Sequence, residues 1–269
     1  MTASAPEGAS RPVDEAHLLS DVKDYWTARS AGYSMRTMEE LEGEGGRFWS
    51  ARLQKLLPAP ASAEGEPRTL LDCGCGPAAL AILAARLGWK ASGCDLSPGM
   101  LEEAARNART AGVVLALREA DVQALPYASA SFDAVVSRNL LWNVPEPEKA
   151  LAEWLRILKP GGVLLIADGR HYRYLSDPAY ARLQEIRAPI AAHQAKYMRD
   201  VDPKRMEDVA KSLPLSGADR PDWDVAALSR LGALHAEAAE SFYTEAVDPE
   251  TGKTIRMLTD FIVRAEKAR

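Results

Sequence analysis

One stretch of this 269-residue chain constrains its fold more than any other: Leu70-Leu71-Asp72-Cys73-Gly74-Cys75-Gly76-Pro77-Ala78-Ala79-Leu80. A short apolar run ends in an acid, two glycines turn the chain, and a proline precedes a run of helix formers. Glycine tolerates backbone dihedrals that other residues avoid and lets a ligand lie against the main chain. Proline suits the first helical position, where its missing N–H would have no partner. The stretch therefore predicts a strand, a ligand-binding turn and a helix N-terminus opened by Pro77.

The residues that follow repeat this unit. Strands are expected at 69–72, 90–95, 113–119, 132–137 and 163–168, with helices at 78–87, 98–111 and 147–158 between them. Strict strand–helix alternation implies parallel strands with right-handed crossovers, an α/β fold of Rossmann-like type. Before this core, residues 1–13 read as a flexible tail, 14–57 as N-terminal helices punctuated by Gly32 and by Gly43, Gly45 and Gly46, and 58–67 as a proline- and alanine-rich linker. After 168 the rhythm breaks. Residues 170–222 form a helical insertion, too long for an ordinary connection and so expected to be lid-like or functional. Weak and firm strands are expected at 234–239 and 260–266.

Composition excludes several classes. Apolar residues make up 47% of the chain and the net charge is −5, so a packed core is available and nothing advertises a polyanion partner. Three cysteines, Cys73, Cys75 and Cys94, fall at strand ends. An odd count in that position speaks for a reducing compartment rather than a disulfide framework, and the four histidines and three cysteines show no metal-ligand spacing. No apolar run reaches the length of a membrane span, and the N-terminus has no signal core. The expectation is a cytoplasmic protein without metal, membrane or nucleic-acid partner.

Gly74-x-Gly76-x-x-Ala79 also satisfies the loose dinucleotide fingerprint, so a nicotinamide oxidoreductase has to be weighed. Two acids, Asp72 and Asp121, argue the other way, while a third, Asp95, suits the ribose that both cofactors carry. Asp72 precedes the turn, where a carboxylate would repel a pyrophosphate but attract a cationic amino-acid group. Asp95 ends the second strand and can accept from both hydroxyls of a ribose. Asp121, followed by Val122 after the third strand, suits an adenine, with the carboxylate on the exocyclic amine and the apolar side chain on the ring. Together they describe a nucleoside with a positively charged tail.

At this point the sequence resembles the class I S-adenosylmethionine-dependent methyltransferases. The motifs are Leu71-Asp72-Cys73-Gly74-Cys75-Gly76, Gly93-Cys94-Asp95-Leu96-Ser97-Pro98-Gly99-Met100, Ala120-Asp121-Val122, Ser131-Phe132-Asp133 and Leu158-Lys159-Pro160-Gly161-Gly162. Ala78 replaces the family's third glycine. The resemblance implies a seven-stranded sheet in the order 3-2-1-4-5-7-6 with the last strand antiparallel, and methyl transfer to an acceptor. A narrower likeness, to a bacterial subgroup mostly of unassigned substrate, rests on Tyr25-Trp26-x-x-Arg29-x-x-x-Tyr33, on the segment from Arg138-Asn139-Leu140 to Ala150, and on Leu213-Pro214-Leu215-Ser216 followed by Arg220-Pro221-x-Trp223-Asp224. That subgroup often continues strand five as Asp-Ala-Asn-Trp-Tyr. Here Asp168-Gly169-Arg170-His171-Tyr172 changes the substrate edge.

The resulting expectations are specific. Gly74, Cys75, Gly76, Asp72, Asp95, Leu96, Met100, Asp121 and Val122 would hold S-adenosylmethionine. Arg138 and Asn139 would sit where its methionine end meets the acceptor. Tyr25, Arg29 and Tyr33 would close a lid over it, with Arg29 or Tyr33 reaching its carboxylate. Trp26, Trp142, His171, Tyr172 and His193 would face a small-molecule acceptor, with His171 as the first candidate for a general base and Tyr172 beside it. Each has a structural alternative: helix capping, core packing or a solvated surface charge. A DNA substrate is disfavoured, because Ser137-Arg138-Asn139-Leu140 stands where an Asp-Pro-Pro-Tyr motif would. Direct transfer requires mainly in-line alignment of a nucleophile and exclusion of water.

Overall fold

The computed structural model describes residues 15–191, 196–199 and 201–269. The predicted tail and His193 lie outside the described residues. Two helices, α1 (Glu15–Glu42) and α2 (Glu44–Leu56), lead into β1 (Thr69–Cys73), α3 (Ala79–Arg86), β2 (Lys90–Asp95), α4 (Pro98–Thr110), β3 (Ala116–Glu119) and β4 (Phe132–Arg138). Then come α5 (Pro147–Ile157), β5 (Leu158–Gly169), α6 (Pro178–Ala191), α7 (Pro203–Ala210), α8 (Asp222–Arg230), β6 (Leu234–Val247) and β7 (Thr254–Glu266).

The seven strands form one sheet in the order β3-β2-β1-β4-β5-β7-β6. β1 to β5 pair in parallel, and β7 runs antiparallel to both its neighbours. Register places Asp72 beside Gly93, Asp95 beside Glu119 and Arg138 beside Ala167, so the carboxyl ends of the central strands finish along one edge. That edge is where open α/β sheets bind ligands.

Alternation along each strand divides the core between two faces. Leu71, Val135 and Leu164 pack with Trp154 of α5 and Leu228 of α8. Leu70, Val136 and Leu165 pack with α3 and with Leu53 and Leu56 of α2. A third cluster joins Leu18, Val22 and Tyr25 of α1 to Trp142 and to Met206, Val209 and Ala210 of α7. The insertion is thus packed onto α1 through α7 and tied to the β6–β7 end of the sheet through α6, where the Tyr180 hydroxyl donates to the Leu258 carbonyl at 2.8 Å.

Four boundaries differ from the sequence reading. Gly32 does not interrupt α1, which runs straight through it and ends at Gly43. A Cβ at Gly32 would lie 2.0 Å from the Tyr197 carbonyl oxygen, so this glycine serves close approach to the insertion. Pro77 stays in the turn, and α3 begins at Ala79 with Ala78 as its N-cap in a left-handed conformation, φ 70°. β5 begins at Leu158, five residues early, and takes in Lys159-Pro160-Gly161-Gly162. β6 and β7 extend to a Val247–Thr254 pair because their outer halves are held by each other's backbone rather than by an apolar pattern.

Candidate functional site

The glycine turn is fixed by its neighbours. Gly74 and Gly76 have φ values of 63° and 49°. A Cβ on Gly74 would come within 2.5 Å of both δ-methyls of Leu140. The Cys75 N–H donates to the Cys94 carbonyl at 2.9 Å, and the Gly76 N–H donates to Asp95 Oδ2 at 2.9 Å. Asp95 Oδ1 accepts from Ser97 N at 2.9 Å, so one carboxylate joins the turn to the start of α4. Ser97 caps α4, accepting from Met100 N at 3.2 Å. Burial pushes Asp95 up to about 6, against the N–H groups of Ser97, Gly76 and Leu96. Asp72 is only 2% exposed and accepts from Ala81 N at 3.1 Å. Burial raises it to about 7; the Ala81 N–H opposes, the Asp95 charge adds and the Arg138 charge opposes.

Asp121 is oriented by a residue that the sequence did not single out. Gln123 donates from its backbone to Asp121 Oδ1 at 2.9 Å and from its amide to both carboxylate oxygens at 3.1 and 3.2 Å. Its own Oε1 accepts from Glu146 N at 2.7 Å. Val122 and Met100 present buried apolar surface to the same cleft, with Leu96 between them and Asp95.

Helix α1 forms the outer wall. Residues 19, 23, 26, 33, 37 and 40 recur at helical spacing along its cleft-facing side. Lys23 Nζ meets Glu119 Oε1 at 2.7 Å, and Thr27 Oγ1 lies 2.9 Å from Ser97 Oγ. Tyr33 Cε1 is 3.7 Å from where a Gly76 Cβ would be. Further along, Arg138 Nη2 donates to Glu40 at 2.8 and 3.0 Å, and Trp49 Nε1 donates to Glu40 Oε1 at 3.0 Å. The Arg138 guanidinium also stacks 4.6 Å over the Trp49 ring. Trp26 stands edge-on to Tyr33 at 5.5 Å, and its Nε1 can donate to Asn143 at 2.8 Å once the Asn143 amide is turned so that its nitrogen faces the Leu140 carbonyl. The enclosed cleft measures about 1030 Å³, counting its space open to solvent.

Of the residues expected from sequence, Asp72, Gly74, Cys75, Gly76, Asp95, Leu96, Met100, Asp121, Val122, Arg138, Asn139, Tyr33 and Trp26 line this one cleft. Tyr25 and Arg29 do not. They lie on the adjoining stripe of α1 with Leu18 and Val22, facing the insertion, where Arg29 donates to the Tyr197 carbonyl oxygen. Trp142, His171 and Tyr172 do not line the cleft either; the Trp142 ring stands edge-on to His171 at 5.6 Å and tilted to Tyr172 at 4.9 Å. Trp142 is held by Asn139, whose carbonyl accepts from its Nε1 at 3.0 Å. Burial pushes the Tyr172 hydroxyl up and keeps it protonated.

Asp168, at the end of β5, anchors this aromatic group. It accepts from Trp142 N at 3.1 Å, lies 3.5 Å from His171 Nε2 and pairs with Arg220 Nη1 at 2.8 Å. Arg220 reaches Asp224 as well, at 2.5 Å, and all three side chains are essentially inaccessible. Burial would raise Asp168, but the Arg220 and His171 charges hold it below the ordinary carboxylate range. Glu40 and Gln123 escaped the sequence reading, and Arg220 and Asp224 entered it only within a motif likeness, without the role of a buried ion pair. Among the described residues, no cluster of His, Cys, Asp and Glu could hold a metal ion.

Residues 71–166 match the family model described as a methyltransferase domain. A demethylmenaquinone methyltransferase of Thermus thermophilus is 36% identical over 107 residues, 39% of this chain and 49% of that protein. A ubiquinone biosynthesis O-methyltransferase of Xanthomonas axonopodis is 31% identical over 151 residues, 52% of this chain and 63% of that protein. The chain thus spans between about half and just under two thirds of the length of these curated relatives. Among solved structures, the YcgJ protein of Bacillus subtilis superposes with a TM-score of 0.57 at 15% identity, covering 82% of this chain and 98% of that one. A SAM-dependent methyltransferase of Methanosarcina mazei does so with 0.51 at 20% identity, covering 81% and 97%. These two carry the fold. The motif order and the family match agree: residues 71–166 are similar to a methyltransferase domain, carried on a seven-stranded sheet of order β3-β2-β1-β4-β5-β7-β6.

Proposed function

We propose that this protein transfers a methyl group from S-adenosylmethionine to a small-molecule acceptor. The observation that carries the reading is the convergence of Asp72, Asp95 and Asp121 on one cleft around the glycine turn, with α1 closed over it. The donor set fits the cofactor. Asp95 is placed to accept from ribose hydroxyls, Asp121 to accept from an exocyclic amine, and Asp72 to face an ammonium group, while Val122, Leu96 and Met100 supply apolar surface for a purine. A pyrophosphate beside a buried Asp72 would be repelled, which disfavours the nicotinamide alternative. When bound, the cofactor supplies an electrophilic methyl group.

The chain's own contribution is then binding, orientation and exclusion of water. Tyr33 and Trp26 on α1 cover the turn, and Arg138 and Asn139 bound the end where the acceptor would enter. A base is needed only for an acceptor that arrives protonated. His171, held by Asp168, is available to one that extends past Asn139 to the Trp142 and Tyr172 face. The volume and the enclosing helix favour a small organic acceptor over a polymer. The reading places the protein in the cytoplasm, in line with three buried, unbridged cysteines. No helix among the described residues is long and apolar enough to cross a membrane.

Calorimetric titration with S-adenosylhomocysteine and with NAD tests the reading. Binding of the former alone is expected, weakened at least about tenfold by Asp95→Ala through loss of charge-assisted hydrogen bonds. NAD binding without S-adenosylhomocysteine binding would overturn it. Labelled-methyl transfer into fractionated metabolite pools then identifies the acceptor.

A further inference from the structure

Arg36 lies on the cleft-facing side of α1, one turn beyond Tyr33, and is exposed to the cleft. Two glutamates follow it at the helical spacings that ordinarily form ion pairs, Glu39 at i+3 and Glu40 at i+4. Neither pairs with it. Glu39 turns to the insertion, accepting from Lys196 Nζ at 3.1 Å and from the Tyr197 hydroxyl at 2.5 Å. Glu40 turns to Arg138 and Trp49. The other two bases lining the cleft are committed, Lys23 to Glu119 and Arg138 to Glu40. Among the described residues, Arg36 is the cleft cation that no carboxylate neutralises.

We infer that Arg36 is a carboxylate-recognition residue of this cleft. This rests on the methyltransferase reading of the same site. A guanidinium presents a planar fork of donors that matches a carboxylate two bonds at a time. The surrounding charge selects a single negative charge over a phosphate dianion. Asp72, Asp95, Asp121 and Glu40 line the same cleft, against Lys23, Arg36 and Arg138. That excess of one acid opposes a phosphate dianion more strongly than it opposes a single carboxylate. Such a group has two sources, the amino-acid end of the cofactor and a carboxylate on the acceptor.

Full-length protein, wild type and with Arg36→Gln or Arg36→Lys, is titrated with S-adenosylhomocysteine and with 5′-methylthioadenosine, which keeps the nucleoside and lacks the amino-acid carboxylate. Protein saturated with S-adenosylhomocysteine is then titrated with a panel of aromatic and aliphatic monocarboxylates and their primary amides. If the cofactor is the source, Arg36→Gln weakens S-adenosylhomocysteine at least about tenfold and leaves 5′-methylthioadenosine unchanged. If the acceptor is the source, both nucleosides bind as before. A monocarboxylate then binds the wild type, is lost in Arg36→Gln and is partly restored by lysine, while its amide is indifferent. Unchanged nucleoside affinities together with no Arg36-dependent carboxylate binding overturn the inference. Failure of wild-type protein to bind either nucleoside overturns the underlying functional reading instead.

Discussion

Replacing Arg220 with methionine isolates the contribution of the buried charge group behind the cleft. The side chain is 1% exposed, and the Asp168 and Asp224 side chains that it joins are both fully inaccessible. Methionine keeps much of the volume and removes the charge. Two carboxylates are then left buried without their cation, a change that costs about 3–5 kcal/mol in comparable settings. The corresponding fall in thermal midpoint is about 6–20 °C. The pH dependence gives a second handle. In the native protein Asp168 is held below its unfolded value, so its contribution is present at neutral pH and lost only as pH falls through that depressed value. Without Arg220, burial raises both carboxyls above their unfolded values. The variant then binds more protons when folded and gains stability as pH falls from 8 toward 5. The deficit relative to wild type should therefore be largest at pH 8 and narrow toward pH 5. Urea denaturation of both proteins across that range measures it. A deficit below about 1 kcal/mol, or one that does not change with pH, would refute the reasoning.

Gly74→Ala should cost about 1–3 kcal/mol, from a left-handed backbone and a Cβ 2.5 Å from Leu140, and adding Leu140→Ala should recover the steric part only. Asp72 and Asp95, raised by burial to about 7 and about 6, contribute stability that is fully present below the unfolded carboxyl value and lost as pH rises through those values. The ligand-free protein should therefore gain from them as pH falls from 8 to 5, while stabilisation by S-adenosylhomocysteine, which requires the ionised forms, shrinks. Melting curves with and without ligand check this, and Asp72→Asn with Asp95→Asn should flatten both trends. A double-mutant cycle on Glu40→Ala and Arg138→Ala should return a coupling of about 1 kcal/mol for this partly exposed pair, and no coupling would remove its role in holding α1.

The centre of the sheet was legible because β1, β4 and the second half of β5 are buried on both faces and read as continuous apolar runs. The three strand-end acids were legible because parallel register brings residues at the end of every strand to one edge. The outer wall was less so. Gly32 reads as a helix breaker, and only the Tyr197 backbone against it shows why α1 needs a residue without a side chain there. Tyr25 and Arg29 belong to the same motif as Trp26 and Tyr33, yet a rotation of one residue position about the helix sends them toward the insertion. Glu40 carries no local signal, since its partner Arg138 lies 98 residues away, and the roles of Gln123 and Arg220 depend on contacts to Glu146 and Asp168 that only the folded chain brings together.

Helix α1 precedes in the chain everything that it touches at the cleft. Its anchors are Ser97, Glu119, Arg138 and Tyr197, and the contact from Arg29 to Tyr197 spans 168 positions. Apart from Trp49 on α2, the hydrogen-bond partners of the cleft-facing stripe follow β1 in the chain, and the adjoining stripe waits for the insertion. Contacts of such separation form late, because loop closure must precede any gain from them. The cleft is therefore completed by docking a segment that waits for the rest of the molecule. Refolding followed by bound ligand should lag behind refolding followed by sheet formation.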